Sequence, residues 1–174
     1  MNLNLLIIRK ARRLLNKLEA FFRDAERVVI IGMGNELRAD DAIGLLVVRL
    51  LKPYSHNRLQ VFEGHMTPDV FIAPACAAHP THLLIVDAAE LYKKPGAWQV
   101  LFPNEVEEGL FTTHTIPVVE VASEIQRRCG AKVAFLGIQP KSRDISLSQS
   151  KECLRAAEEI ADIIRRIITT LPKT

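Results

Sequence analysis

A chain of 174 residues with 48% hydrophobic and 25% charged side chains has the composition of one packed globular domain, which excludes disorder and a collagen-like repeat. Three cysteines, odd in number and scattered at Cys76, Cys129 and Cys153, suggest no disulfide framework or cysteine-rich zinc site and point to a reducing compartment. The net charge of +3 is concentrated in residues 1–25, which carry +4, so the rest of the chain, at −1, argues against general nucleic-acid binding.

In chain order, Ile7, Ile8, Ala11, Leu14, Leu15, Leu18, Phe21, Phe22 and Ala25 recur at three and four, which predicts a basic amphipathic helix over about 4–24. Such a stripe must be covered, by the protein's own sheet or final helix with Arg9, Lys10, Arg12, Arg13 and Lys17 in solvent, or by a partner surface. Its apolar run precedes the basic residues, the reverse of a secretory signal, and no stretch reaches the ~18 apolar residues of a membrane span. A cytoplasmic protein is expected. Arg27 to Gly32 reads as a buried strand stopped by Gly-Met-Gly-Asn, and Asp40-Asp41 precede a helix that Pro53 ends.

The pattern then alternates: a strand over Leu59 to Glu63, a helix near Asp69 to Ala78, and a strand over His82 to Asp87. A strand over Ala97 to Phe102, a helix over Val118 to Cys129, a strand over Lys132 to Gly137 and a final helix over about Ser148 to Thr170 complete the chain. Strands separated by helical segments imply crossover connections. The expected fold is a three-layer α/β/α sandwich around a mainly parallel sheet of about five strands, in a single domain with residues 1–25 as an extra helix. Only a short Lys-Pro-Gly turn separates Asp87 from the strand at Ala97, so that strand is expected antiparallel at an edge.

Ligands of open α/β sheets bind beyond the carboxyl ends of the strands. The candidates there are Asn35 to Asp41 after the first strand, Glu63 and His65 at the second, and Asp87 at the third. Leu37 stands where a dinucleotide fingerprint needs its third glycine, and no Gly-Lys-Ser/Thr phosphate loop occurs, so a nucleotide site has little support. Asp87 follows the apolar run Leu83 to Val86, where a carboxylate needs a partner or a purpose; the plain alternative is a cap of the next turn. Asp41 could equally be a helix cap and His114 a solvated loop residue. Together, two acids and a histidine at one sheet edge make an oxygen and nitrogen site for a divalent ion such as nickel or zinc.

Four blocks carry a family likeness: Ile31 to Asn35 through Asp40-Asp41, Leu83 to Ala88, Phe111 to Pro117, and Phe135 to Pro140. In this order and spacing they resemble the [NiFe]-hydrogenase maturation endopeptidases, in the branch serving formate-hydrogenlyase-type hydrogenases. The resemblance implies an aspartic-type endopeptidase that removes a C-terminal extension from the hydrogenase large-subunit precursor after nickel insertion. It implies that Asp41, Asp87 and His114 contact nickel brought by the substrate, with no organic cofactor. Glu63 would be a catalytic or supporting carboxylate, Asn35 would shape the first loop, and Gln139 would line the cleft. The eligible catalytic carboxylates are Asp41, Asp87 and Glu63.

Two features depart from the family pattern. Ala42 replaces a glycine, which matters only if that backbone needs a positive φ. The helix before Arg27 is extra, and other maturation factors are a conceivable partner for it. A nickel-binding chaperone or sensor without cleavage, and a hydrolase with its own zinc, are the competing readings of the same residues.

Overall fold

The computed structural model describes residues 16–106 and 118–171. Helix α1 (residues 16–22) leads into β1 (Val28–Met33), α2 (Ile43–Leu51), β2 (Leu59–His65), α3 (Ile72–Ala77) and β3 (His82–Ala88). The edge strand β4 (Trp98–Leu101), α4 (Val118–Cys129), β5 (Lys132–Ile138) and α5 (Lys151–Thr170) follow. The five strands lie in the order β2-β1-β3-β5-β4; every neighbouring pair is parallel except β4, which runs antiparallel to β5. The expected α/β architecture and its reversed edge strand are both present.

β1 and β3 read as unbroken apolar runs because helices cover both of their faces. Val28 and Ile30 of β1, with Leu84 and Val86 of β3, join Leu18, Phe21 and Phe22 of α1 and the stripes of α2 and α5 in one core. Val29 and Ile31, with Leu83 and Ile85, face the other way onto Ile72 of α3 and Val121, Ala122 and Ile125 of α4. In α5 the residues Ala157, Ile160, Ala161, Ile164, Ile167 and Ile168 repeat at helical spacing on its buried side. Each isoleucine there is worth roughly 1.5–3 kcal/mol of burial.

The described part of α1 packs on the body of the protein, as one of the two options for its stripe requires. Lys17 is a correction: its ammonium pairs with Glu105 at 2.7 Å and lies 5.0 Å from the Phe102 ring centroid, not free in solvent. His82 starts the central strand β3 at 1% exposure, edge-on to Phe21 with ring centroids 5.1 Å apart. Burial pushes its imidazole below the ordinary histidine range, against the opposing pull of Asp24. The part of the expected helix before residue 16 lies outside the described residues.

One close approach sets the position of everything that follows. A Cβ on Gly44 would stand 2.2 Å from the carbonyl oxygen of Val86 and 2.4 Å from that of Met33, and one on Gly32 would stand 2.2 Å from the carbonyl of Gly44. The first turn of α2 therefore rests directly on the carboxyl ends of β1 and β3, main chain against main chain. Gly44→Ala is expected to cost about 3 kcal/mol by overpacking, read as a lower urea midpoint with unchanged slope. A cost no greater than that of an exposed helix substitution would mean that this contact can relax.

Candidate active site

From β1 the chain moves outward to β2 on one side and returns to β3 on the other, so the order of strands reverses between β1 and β3. Crevices at such switch points are where α/β sheets bind ligands. Asp87, the penultimate residue of β3, lies at this carboxyl edge, and a 3-10 turn over Ala39–Ala42 carries Asp40 and Asp41 over it and contacts β3. A Cβ on Gly34 would lie 2.2 Å from the carbonyl oxygen of Asp41, so the turn is seated tightly on the end of β1.

The loop that delivers the acids is shaped locally. Asn35 accepts a hydrogen bond from the amide of Leu37 at 2.9 Å through Oδ1, a side-chain turn within the first loop. The Arg38 amide donates to the Asn35 carbonyl at 3.1 Å, and the Asp41 amide donates to the Arg38 carbonyl at 2.9 Å. Ala39 carries φ 43°, a left-handed backbone for a residue with a Cβ. Ala42 has φ −77°, so the departure from the family's glycine leaves that backbone unstrained.

The two adjacent acids do different work, and neither caps α2 through its side chain. Asp40, 1% exposed, accepts hydrogen bonds from the amides of Lys141 at 2.8 Å, Ser142 at 3.3 Å and Ser150 at 2.6 Å, and from the Ser150 hydroxyl at 2.9 Å. Burial opposes its charge, but the bonds from Ser150, Lys141 and Ser142 outweigh burial and hold the carboxyl below the usual range. The Ala39 amide donates to the Ser146 carbonyl at 2.7 Å, and the Arg38 guanidinium to the Arg143 carbonyl at 3.2 Å. The segment after β5 thus clasps the acid-bearing loop.

Asp41 is 2% exposed and its Oδ1 accepts no hydrogen bond. The nearest cation is Arg143, whose Nε lies 3.7 Å from that oxygen; Nε and Nη2 of Arg143 are themselves buried without hydrogen-bond partners. Arg143 is the residue that sequence reasoning missed. Its only signal was its place just beyond the carboxyl end of β5, in a polar run that gave no reason to choose it. Asp87, 4% exposed, accepts the amide of Ala88 at 2.7 Å through Oδ1. It stands beside Gly137 of β5 in register.

The other expected residues are placed as follows. Glu63, near the end of the edge strand β2, accepts Nε and Nη2 of Arg49 at 2.9 and 2.7 Å and lies 3.6 Å from Lys52. Arg49 also reaches Glu36 at 2.6 Å, and its hydrogen bonds hold Glu63 below the ordinary carboxylate range. Gln139, expected to line the cleft, is 6% exposed and fully engaged. Its Oε1 accepts the amides of Leu91 and Lys93 at 2.8 and 3.2 Å, and its Nε2 donates to the Pro140 carbonyl at 3.3 Å. It braces the connection between β3 and β4. His114 lies outside the described residues. Among those described, no group of three His, Cys, Asp or Glu residues could hold a metal ion, and no helix is long and apolar enough to cross a membrane.

Comparison with known proteins agrees with this fold. The family model for hydrogenase maturation proteases matches residues 45–167. An inferred hydrogenase maturation protease of Methanocaldococcus jannaschii is 31% identical over 157 residues, covering 86% of this chain and 92% of the relative. The hydrogenase 3 maturation protease of Escherichia coli K12 is 31% identical over 113 residues, 64% of this chain and 72% of the relative. The crystal structure of the [NiFe] hydrogenase maturation protease HycI from Thermococcus kodakarensis KOD1 superimposes with a TM-score of 0.81 at 28% identity, over 88% of this chain and 99% of that one. The chain belongs to the hydrogenase maturation protease family.

Proposed function

We propose that this protein is a cytoplasmic endopeptidase that removes the C-terminal extension of a [NiFe]-hydrogenase large-subunit precursor once nickel is in place. The observation that carries this reading is Oδ1 of Asp41, buried without a hydrogen bond in a turn that packs on β3, the strand that carries Asp87, at the switch point of the sheet. A buried carboxylate oxygen without a hydrogen bond is costly, and an incoming cation or proton relieves that cost. Nickel carried by the precursor is such a cation. Asp41 and Asp87 would meet it with oxygen, and His114 with nitrogen, a donor set suited to a borderline divalent ion. Precursor thiolates hold nickel more tightly than carboxylates do, so the ion stays with the substrate and serves as the mark that insertion is finished.

Hydrolysis needs a base for the attacking water. Glu63 is bound by Arg49 and approached by Lys52, and a carboxylate stabilised by cations takes up a proton poorly, which leaves the chemistry to the aspartates. Arg143 offsets the charge of Asp41, a place the substrate-borne ion would take over. The deciding experiment incubates the purified protein with metal-free and with nickel-loaded precursor. Shortening of the loaded precursor alone is expected. A loaded precursor that is bound but left intact would turn the reading to a nickel-binding chaperone, and equal cleavage of both forms would remove nickel recognition.

A further inference from the structure

Cys76 and Cys129 are separated by 53 positions in sequence, yet α3 and α4 bring their sulfurs to 2.6 Å on the face of the sheet opposite α2 and α5. Both thiols are half-buried and both line an open surface cleft of about 720 Å³, together with His79, Thr81 and Arg128. This cleft lies at the amino-terminal edge of β3, away from Asp41 and Asp87, so the peptidase chemistry makes no use of it. Two sulfurs in contact, reachable by a small reagent, have the arrangement from which a disulfide forms.

We propose that Cys76 and Cys129 are a thiol pair that closes to an intramolecular disulfide when the chain meets a low-molecular-weight disulfide. The thiolate of Cys129 attacks one sulfur of the reagent; the reagent's S–S bond breaks and one small thiolate leaves. The sulfur of Cys76 then attacks Sγ of Cys129, the mixed disulfide breaks, and the second small thiolate leaves. Each leaving thiolate takes up one of the two cysteine protons, so the two cysteines are oxidised and the reagent is reduced to two thiols. Burial, and then the hydrogen bond to Cys129, push the Cys76 thiol up to about 12. Once Cys129 is capped, its contribution to holding Cys76 protonated is gone. The bond ties α3 to α4 and closes a loop that contains β3, β4 and Asp87.

The test uses hydroxyethyl disulfide on the whole protein, acid quenching, and alkylation after denaturation without reductant. The expected product carries one alkyl group, on Cys153, against three in the reduced control, and a digest yields the Cys76–Cys129 linked peptide. The closed form should melt about 5–10 °C above the reduced form, because the cross-link restricts the unfolded chain. Cys76→Ser should stop at a mixed disulfide on Cys129. Three alkylated cysteines after treatment would overturn the proposal. So would a mixed disulfide that persists in the native sequence, or loss of two thiols in Cys76→Ser.

Discussion

Asp41→Asn and Asp87→Asn, each alone, should lower the processing rate by at least about 100-fold, beyond what the loss of an outer partner at a metal site costs. Both substitutions keep side-chain shape and remove charge. Asparagine at 87 can still accept the amide of Ala88, and asparagine at 41 gives up the 3.7 Å ion pair with Arg143 but no hydrogen bond through Oδ1. The stability cost should stay within about 3 kcal/mol, the range of ordinary single substitutions. The pairing of a large kinetic effect with a modest thermal one separates a substrate-binding role from a structural one. His114→Ala belongs to the same series on the strength of the family likeness. Near-parental processing by Asp41→Asn would sink the nickel-reading site.

Asp40→Ala should do the opposite. Removing this carboxylate leaves the amides of Lys141, Ser142 and Ser150 and the Ser150 hydroxyl without their acceptor, in a place with little water. Several charge-assisted bonds are lost at once, so a cost of about 3–5 kcal/mol is expected, and the melting temperature should fall by roughly 6–15 °C. The folded-state pKa of Asp40 lies below its ordinary value of 3.8, so its contribution is fully present above pH 3.8 and is lost as pH falls through the lowered value. Acid denaturation of the parent should therefore lose a component below about pH 4 that Asp40→Ala lacks. A variant that melts with the parent would show that the clasp is held by its main-chain bonds alone.

Most of the fold was legible because periodicity reports burial directly. α4 ends where its stripe ends, and the runs Val28 to Met33, Leu83 to Val86 and Val133 to Ile138 are apolar because both faces of the sheet are covered. Element starts were harder. The helix foreseen from Asp69 begins as a 3-10 turn over Pro68–Phe71, and α5 begins at Lys151 because Ser150 serves as its cap while binding Asp40. The site was partly legible. In sequence Asp40 and Asp41 are equivalent, and only the clasp distinguishes the carboxylate tied by four hydrogen bonds from the one whose Oδ1 accepts none. Arg143 is distant from Asp41 in sequence and nothing in local pattern links them. The same holds for Cys76 and Cys129, which separation in sequence had made to look like isolated small hydrophobes.

The clasp also has a temporal side. Its bonds join residues 101 to 110 positions apart, among the longest loops this chain can close. Such contacts are made only after the intervening chain has paid its closure entropy, so they arrive late in folding. β5 must first dock beside β3, and the segment behind it must then reach back across the sheet to fix the turn that carries Asp41. A chain halted before Ser150 would lack α5 and two of the four bonds that hold Asp40, so the acid-bearing turn is fixed only when nearly the whole protein has folded around it.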